Sequence, residues 1–509
     1  MKRVLQLALA VGVLNLTATV AMAGGTLYFG MSQEPPTLDT VLQPGTAARN
    51  VKLAIHRGLV NYGIDGQITP ELAESYEISP DAKEITFHLR KATFHDGSQV
   101  TSADVKASLD RILDPNGKAA FRADMSAISK VEALDEKTVK LKLSKPSVAV
   151  IAFLALPESA IVPAAWLQKN ASNPNASPIG AGPFQFVEWT RGREIVVKKF
   201  SGYYKKGKPD LDEVHYVFYS DENTRVNALK SGDVDIIEYV PYKDSADLEK
   251  GPDTQLLKTT GPFMGVQFNT KFEPFSKPEV RQAVAYAVDR SSIINTAFNG
   301  LGQPIYGLPI PKGYLGYSDA TANYFKTDLQ KAKELLTKAG YPNGFEAKLL
   351  ATSQYSFHQN TAVAIQASLA KIGIKVTLDL PDWATRMERA GAGQYDFAVL
   401  GSLGETPDPD WMSNYFYGSD KLVRINSSPY FNDQKMNDLL DQGRATVDAA
   451  ERKSVYEEFV ARTLTLSPEV FFMFREQSYA VRKGVTGFTN IPGFLTFQSG
   501  ISIENTKLN

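Results

Sequence analysis

The chain has 509 residues, 43% of them apolar and 22% charged, with no cysteine and a formal net charge of −1. A chain this long exceeds what one hydrophobic core serves, so at least two lobes are expected. The near-neutral charge argues against a nucleic-acid partner, and the missing cysteines exclude disulfides and thiolate metal sites.

Lys2-Arg3, the mostly apolar run Val4–Val20 and Ala21-Met22-Ala23 have the three-part form of a secretory leader, with cleavage expected after Ala23. Gln6, Asn15 and Thr17 interrupt the run, which is short for a membrane span. No cysteine follows the cut to accept a lipid, so the mature chain is expected to diffuse freely in a periplasm. Thr26–Met31 then reads as a strand, Gln33–Asp39 with Pro35-Pro36 as a rigid turn, and Asn50–Asn61 as a helix. Glu84–Arg90 alternates, with Ile85, Phe87 and Leu89 on one face. His95-Asp96-Gly97 is turn chemistry, and Thr101 or Ser102 caps a helix running to about Leu113, which Pro115 closes. Thr138–Leu143 is another alternating strand, and Phe184–Phe200 with Val214–Tyr219 is β-rich. A helix over Asn223–Lys230 stops at Gly232, and Val234–Tyr239 reads as a strand.

The second half has a clearer α/β rhythm. Ser276–Glu279 and Thr327–Gln330 have the form of capping boxes, the second opening a helix that Gly340 ends. Strand Glu346–Ala351, helix Gln359–Ile372, strand Ile374–Leu380, helix Trp383–Ala390 and strand Asp396–Gly401 follow. Strands separated by helices predict right-handed crossovers and a mostly parallel sheet. From about Ser478 onward the chain regains strand-and-turn character.

Several of these stretches, in this order, are shared with a known family. Leu72-Ala73-Glu74, the alternating strand, Phe94-His95-Asp96-Gly97 and the helix start at Thr101–Asp104 form one block. Pro35–Asp39 with Arg57-Gly58-Leu59-Val60, and Pro178–Phe184 with Trp189, form two more. The sequence resembles the family 5 extracytoplasmic solute-binding proteins of ABC importers, binders of peptides, nickel and glutathione. The resemblance implies an α/β, two-lobe periplasmic-binding-protein fold (type II-like) with an extra subdomain and two hinge crossings. Lobe 1 would comprise residues 24–262 and 478–509, with the subdomain at about 62–178, and lobe 2 residues 263–477. The crossings fall near Thr260–Phe272 and Phe472–Val481. A monomer without cofactor, closing over a small-molecule or peptide ligand and delivering it to ABC permease subunits, is what the family implies.

Catalytic signatures are missing: no H-E-x-x-H, nucleophile elbow or Walker loop occurs, and His56, His88, His95, His215 and His358 have no metal-ligand spacing. A secreted hydrolase is the remote alternative. The candidate recognition loop is Gly401–Trp411, at the carboxyl end of an apolar strand, where open α/β sheets place ligands. Glu405, Asp408 and Asp410 bring three carboxylates into six residues, and Trp411 adds an aromatic wall. In dipeptide-binding relatives a carboxylate at the position of Glu405 receives the peptide ammonium. The family's arginine for the ligand carboxylate is missing from Ala351–His358, which offers Tyr355 and Phe357 instead. Trp383 and Arg386, after the next strand, complete the candidate ligand-binding set. Peptides or peptide-like solutes are the expected cargo; glutathione, an opine, an oligosaccharide or a nickel chelate are the alternatives on the same fold.

Overall fold

The computed structural model describes residues 24–42, 45–147, 149–170, 173, 176–421 and 423–509. The expected leader, residues 1–23, lies outside the described residues. Near the amino terminus come β1 (Thr26–Met31) and α1 (Thr46–Ile55). A separate four-stranded antiparallel sheet is built from β2 (Ala73–Ile78), β3 (Glu84–Leu89), β4 (Ile128–Ala133) and β5 (Thr138–Leu143), in the order β2-β3-β5-β4. Alternation sets which face is buried. Ile85, Phe87 and Leu89 of β3 and Val139, Leu141 and Leu143 of β5 point into one apolar core, while their polar neighbours stay at the surface. The helix α2 (Ser102–Leu113) covers that core with Val105, Leu109 and Ile112. Its start is a reciprocal box: Thr101 N–H donates to Asp104 Oδ2 at 2.9 Å, and the Thr101 hydroxyl does so at 2.7 Å.

The principal sheet has eleven strands among the described residues. Its first part contains β6 (Phe184–Thr190), β7 (Glu194–Lys199), β8 (Glu213–Phe218) and the two-residue β9 (Ile236–Ile237) around β1, which pairs in parallel with β8 and β9. The long β10 (Thr254–Phe268) then leaves this part. The second part holds β11 (Glu346–Leu350), α3 (Ser356–Ala370), β12 (Lys375–Asp379), α4 (Trp383–Gly391) and β13 (Phe397–Ser402). β11 pairs in parallel with both β12 and β13, as crossover helices demand. β14 (Glu469–Arg482) returns antiparallel to β10 along nearly its whole length. The sheet order is β12-β11-β13-β10-β14-β9-β1-β8-β7-β6, with the eleventh strand, Gly302–Pro304, paired to β14 off this path, so β10 and β14 are common to both parts. Their register runs from Thr254↔Arg482 to Thr260↔Glu476, breaks, and resumes at Phe263↔Phe474. Gly261 sits in the break, where a Cβ would stand 2.2 Å from the Gly493 carbonyl oxygen.

The structure corrects several local expectations. The first helix spans Thr46–Ile55 instead of Asn50–Asn61, because Val60–Tyr62 is needed as a strand against Ile68–Pro70. Ser276 caps nothing; its hydroxyl donates back to Glu273 O at 2.6 Å, and Lys277 starts the next helix without a side-chain cap. Asp328, and not Thr327, caps the helix Leu329–Lys338, accepting from Lys331 N–H at 2.9 Å. Only Ile236–Ile237 of the strand expected at Val234–Tyr239 enters the ladder. Gly493–Asn505 winds in tight 3₁₀ turns against α1 where strand character was expected.

Another contact fixes α1. Gly180 and Gly182 lie against its last turn: Gly182 N–H donates to Ile55 O at 2.8 Å. A Cβ at Gly180 would stand 2.1 Å from that oxygen, and one at Gly182 2.6 Å from it. Any side chain at either position would push the helix away.

Candidate functional site

A cavity of about 130 Å³ lies where α1, the starts of α3 and α4, the end of β13 and the middle of β14 converge. It has room for roughly ten water-sized groups, which suits a compact solute. The starts of α3 and α4 bring in the aromatic wall. Tyr355 precedes α3, Phe357 and His358 occupy its first turn, and Trp383 opens α4, whose cap Asp382 accepts from Thr385 N–H at 3.0 Å. Tyr239 stacks on Phe357 at 6.3 Å with 5° between the planes, and Trp383 stands edge-on to Tyr355 at 5.3 Å. Rings that pack mutually in this way give a stiff wall with no rotamer freedom left to lose on binding.

Three arginines and one carboxylate line the cavity among the described residues. Arg49 on α1 is 1% exposed and forms a buried fork: Nε and Nη2 donate to Glu158 at 2.9 and 3.2 Å, and Nη1 pairs with Glu405 Oε2 at 2.9 Å. These partners outweigh burial and hold its guanidinium charged. Arg386 on α4 donates to Val399 O at 2.8 Å and lies 5.3 Å from the Trp383 ring centroid. Arg475 on β14 donates to the Tyr242 hydroxyl at 3.3 Å and to Gln477, and lies over Phe357 at 5.0 Å. Neither Arg386 nor Arg475 has a carboxylate partner among the described residues, and the Nε of each is buried without an acceptor. Burial pulls Arg386 down to about 10, so it still carries its charge at neutral pH. His358, 3% exposed, is held neutral by burial and by these two cations, and its Nδ1 also has no partner. An unsatisfied buried donor costs about 1–3 kcal/mol. Two such donors, the Nε groups of Arg386 and Arg475, border one cavity, together with a neutral imidazole whose Nδ1 is also unpaired.

Four of the seven candidate residues read from the sequence meet here: Tyr355, Trp383, Arg386 and Glu405. The other three lie elsewhere in the same loop. Asp408 is held by Arg452 at 2.7 and 2.9 Å, and Asp410 by Arg444 at 3.0 and 3.1 Å. Trp411 is buried among Phe263, Tyr415 and Phe494, with ring centroids at 5.9, 5.3 and 5.5 Å. These contacts set the loop's shape and so present Glu405 to the cavity. Sequence reasoning passed over Arg49, Arg475 and His358. Arg475 carried a usable signal, a cation directly after the apolar run Val470–Phe474 of one strand. On the opposite face of β14, beside Phe474, a second and more open cavity of about 620 Å³ is lined by Tyr306, Tyr314, Tyr317 and Phe494. Lys312 is its sole charged lining residue among those described, beside the neutral polar side chains of Thr260, Gln303 and Asn323.

Residues 67–422 match the family model of the bacterial extracellular solute-binding proteins, family 5, middle region. The chain belongs to that family. Family 5 members are extracytoplasmic substrate-binding proteins, and this chain is the substrate-binding component of an ABC importer. It is 31% identical over 511 residues to the glutathione-binding protein GsiB of Shigella dysenteriae, covering 98% of each chain. Among solved structures, the periplasmic binding protein AgaA of A. tumefaciens R10 in complex with agropinic acid is 78% identical, with a TM-score of 0.93 over 95% of this chain and 99% of that one. The family 5 fold is equally plain against DppA of Helicobacter pylori in complex with the peptide STSA: 27% identity, TM-score 0.86, over 95% and 98% of the two chains. Among the described residues no helix is long and apolar enough to cross a membrane.

Proposed function

We propose that this family 5 protein captures a compact organic acid of the opine type in the periplasm and hands it to its permease without chemical change. The observation that carries the reading is the pair Arg386 and Arg475, two buried guanidinium groups beside one cavity with no carboxylate of their own. A ligand carboxylate placed between them would supply the missing acceptor, and charge-assisted bonds to arginine are the strong ones. The binding of agropinic acid by a protein 78% identical supports the same assignment. Tyr355 and Trp383 form the wall against which the rest of the ligand packs.

In this reading the lobes are residues 24–262 with 478–509, and 263–477. They hinge where β10 and β14 break register. The Arg49–Glu405 pair joins the first lobe to the second on closure, and the cavity is lined by Tyr239 from the first lobe and by Arg386 and Arg475 from the second, so ligand contacts on both sides favour the closed form. A ligand shifts that balance only through such differential contacts. The chain acts as a monomer after removal of residues 1–23, with no nucleic-acid partner. Glu405 contributes through Arg49, while Asp408, Asp410 and Trp411 hold its loop in place.

Isothermal titration with agropinic acid, glutathione and the tetrapeptide Ser-Thr-Ser-Ala tests the assignment. One-to-one binding of agropinic acid, at least tenfold tighter than either peptide, is the expected result. Preference for the tetrapeptide or glutathione, or no heat with agropinic acid, would overturn it.

A further inference from the structure

Glu405 is the sole carboxylate among the described lining residues, and therefore the one group there that a ligand ammonium could pair with. That place is already filled. Arg49 reaches it from α1, across the cavity, at 2.9 Å, and both side chains are almost wholly buried. Glu158 takes Nε and Nη2 of the same guanidinium from behind, leaving Nη1 for Glu405. Glu158 keeps the guanidinium aimed from within the first lobe, so that on closure all three nitrogens are engaged and the arginine has no second position to swing into. An incoming ammonium on Glu405 would sit beside this fixed cation, in surroundings where water does little to screen the repulsion. The other charged groups on the walls, Arg386 and Arg475, are cations too.

We propose that Arg49 is the specificity-determining residue that closes this cavity to ammonium-bearing solutes, a built-in cation occupying the seat an amine would need. The inference deepens the acid-binding reading and rests on it. Glu158 is the positioning residue, because it fixes the direction in which the guanidinium points. The cavity thus selects by charge at two places: it attracts an anion at Arg386 and Arg475 and refuses a cation at Glu405. An acid whose nitrogen is uncharged passes both criteria, whereas an amino acid or peptide with a free amine fails the second.

Pyroglutamate and L-glutamine are suitable probes. They share a five-carbon skeleton and a single carboxylate, and pyroglutamate has its amine closed into an uncharged lactam. Ligand-observed NMR titration of the wild-type protein should favour pyroglutamate at least tenfold. The double substitution Arg49→Met/Glu158→Gln removes the cation and its rear anchor together and keeps the local charge balance. It should raise L-glutamine at least tenfold relative to pyroglutamate, while Arg49→Lys keeps the wild-type preference. Should the double variant fail to fold by circular dichroism, Glu158→Gln alone must relax the ratio at least threefold. A wild-type protein that does not discriminate, or a ratio unmoved by these substitutions, overturns the role of Arg49. Binding of agropinic acid by that same wild-type protein would leave the acid-binding reading standing. Failure of the wild type to bind either agropinic acid or pyroglutamate would sink that reading instead.

Discussion

The acidic loop that borders the cavity and the cavity's basic side treat charge in opposite ways. Every carboxylate of the Glu405–Asp410 loop has an arginine of its own: Arg49 for Glu405, Arg452 for Asp408 and Arg444 for Asp410. The cavity's basic side carries Arg386 and Arg475, whose hydrogen bonds go to neutral oxygens and to Met387 Sδ and whose Nε atoms have no acceptor. A loop rich in acid is therefore an internally balanced scaffold, and the less conspicuous basic wall is the one left to be completed by a ligand. Local density of charge marks a residue type; only its pairing says whether that charge is available.

Removing the basic wall should break the contrast most severely. Arg475→Met or Arg386→Met is expected to weaken agropinic acid binding at least ~100-fold, about 3 kcal/mol, the range for truncating one partner of a buried charge pair. Titration calorimetry reads this directly, and a change under threefold in both variants would remove these arginines from the ligand.

A smaller effect concerns the balance inside the acidic loop. Asp124, from the antiparallel subdomain, lies 3.8 Å from Arg444, and burial together with the Asp410 charge raises it to about 7. A carboxyl raised in the folded state gives stability that is complete below the unfolded value near 4 and is lost as pH climbs towards 7. Between those values the folded protein holds the extra proton, so Asp124→Asn should flatten the decline by up to about 1.4 kcal/mol per pH unit. Urea denaturation at pH 5, 6 and 7 on both proteins checks the sign. A wild-type stability that rises over this range with the same slope in the variant would contradict it.

The smallest effect on binding is expected away from the cavity. Arg452 and Asp408 are 11% and 19% exposed and do not line the cavity, so Arg452→Ala should leave affinity within threefold while lowering stability in thermal unfolding by about 1–3 kcal/mol, for a bidentate pair and a bond to Gly443 O lost. A large loss of binding there would mean that the loop's position, and with it Glu405, depends on the Arg452–Asp408 pair.

Much of the architecture was legible because it is written locally. The alternation of Glu84–Leu89, the Thr101–Asp104 box and the glycine stop after Glu222–Ser231 each need only a few consecutive residues. Half of the cavity was legible for a related reason, since Tyr355, Trp383, Arg386 and Glu405 follow strand ends, where open sheets expose their loops. Arg49 and Arg475 were not. One sits in a helix and the other in a long strand, and the partners that give Arg49 its meaning, Glu158 and Glu405, are remote in sequence. The reading that Asp408 and Asp410 face a ligand came from their crowding, which could not reveal that Arg452 and Arg444 had already claimed them.

Gly180 and Gly182 take no part in the cavity, yet they seat the helix that carries Arg49. A methyl group introduced at either would collide with the Ile55 carbonyl and force α1 to shift. Because Nη1 pairs with Glu405 at 2.9 Å, such a displacement is expected to register as altered cargo discrimination before it registers as unfolding. Two residues that own no side chain thereby act as the datum from which this receptor's chemical preference is measured.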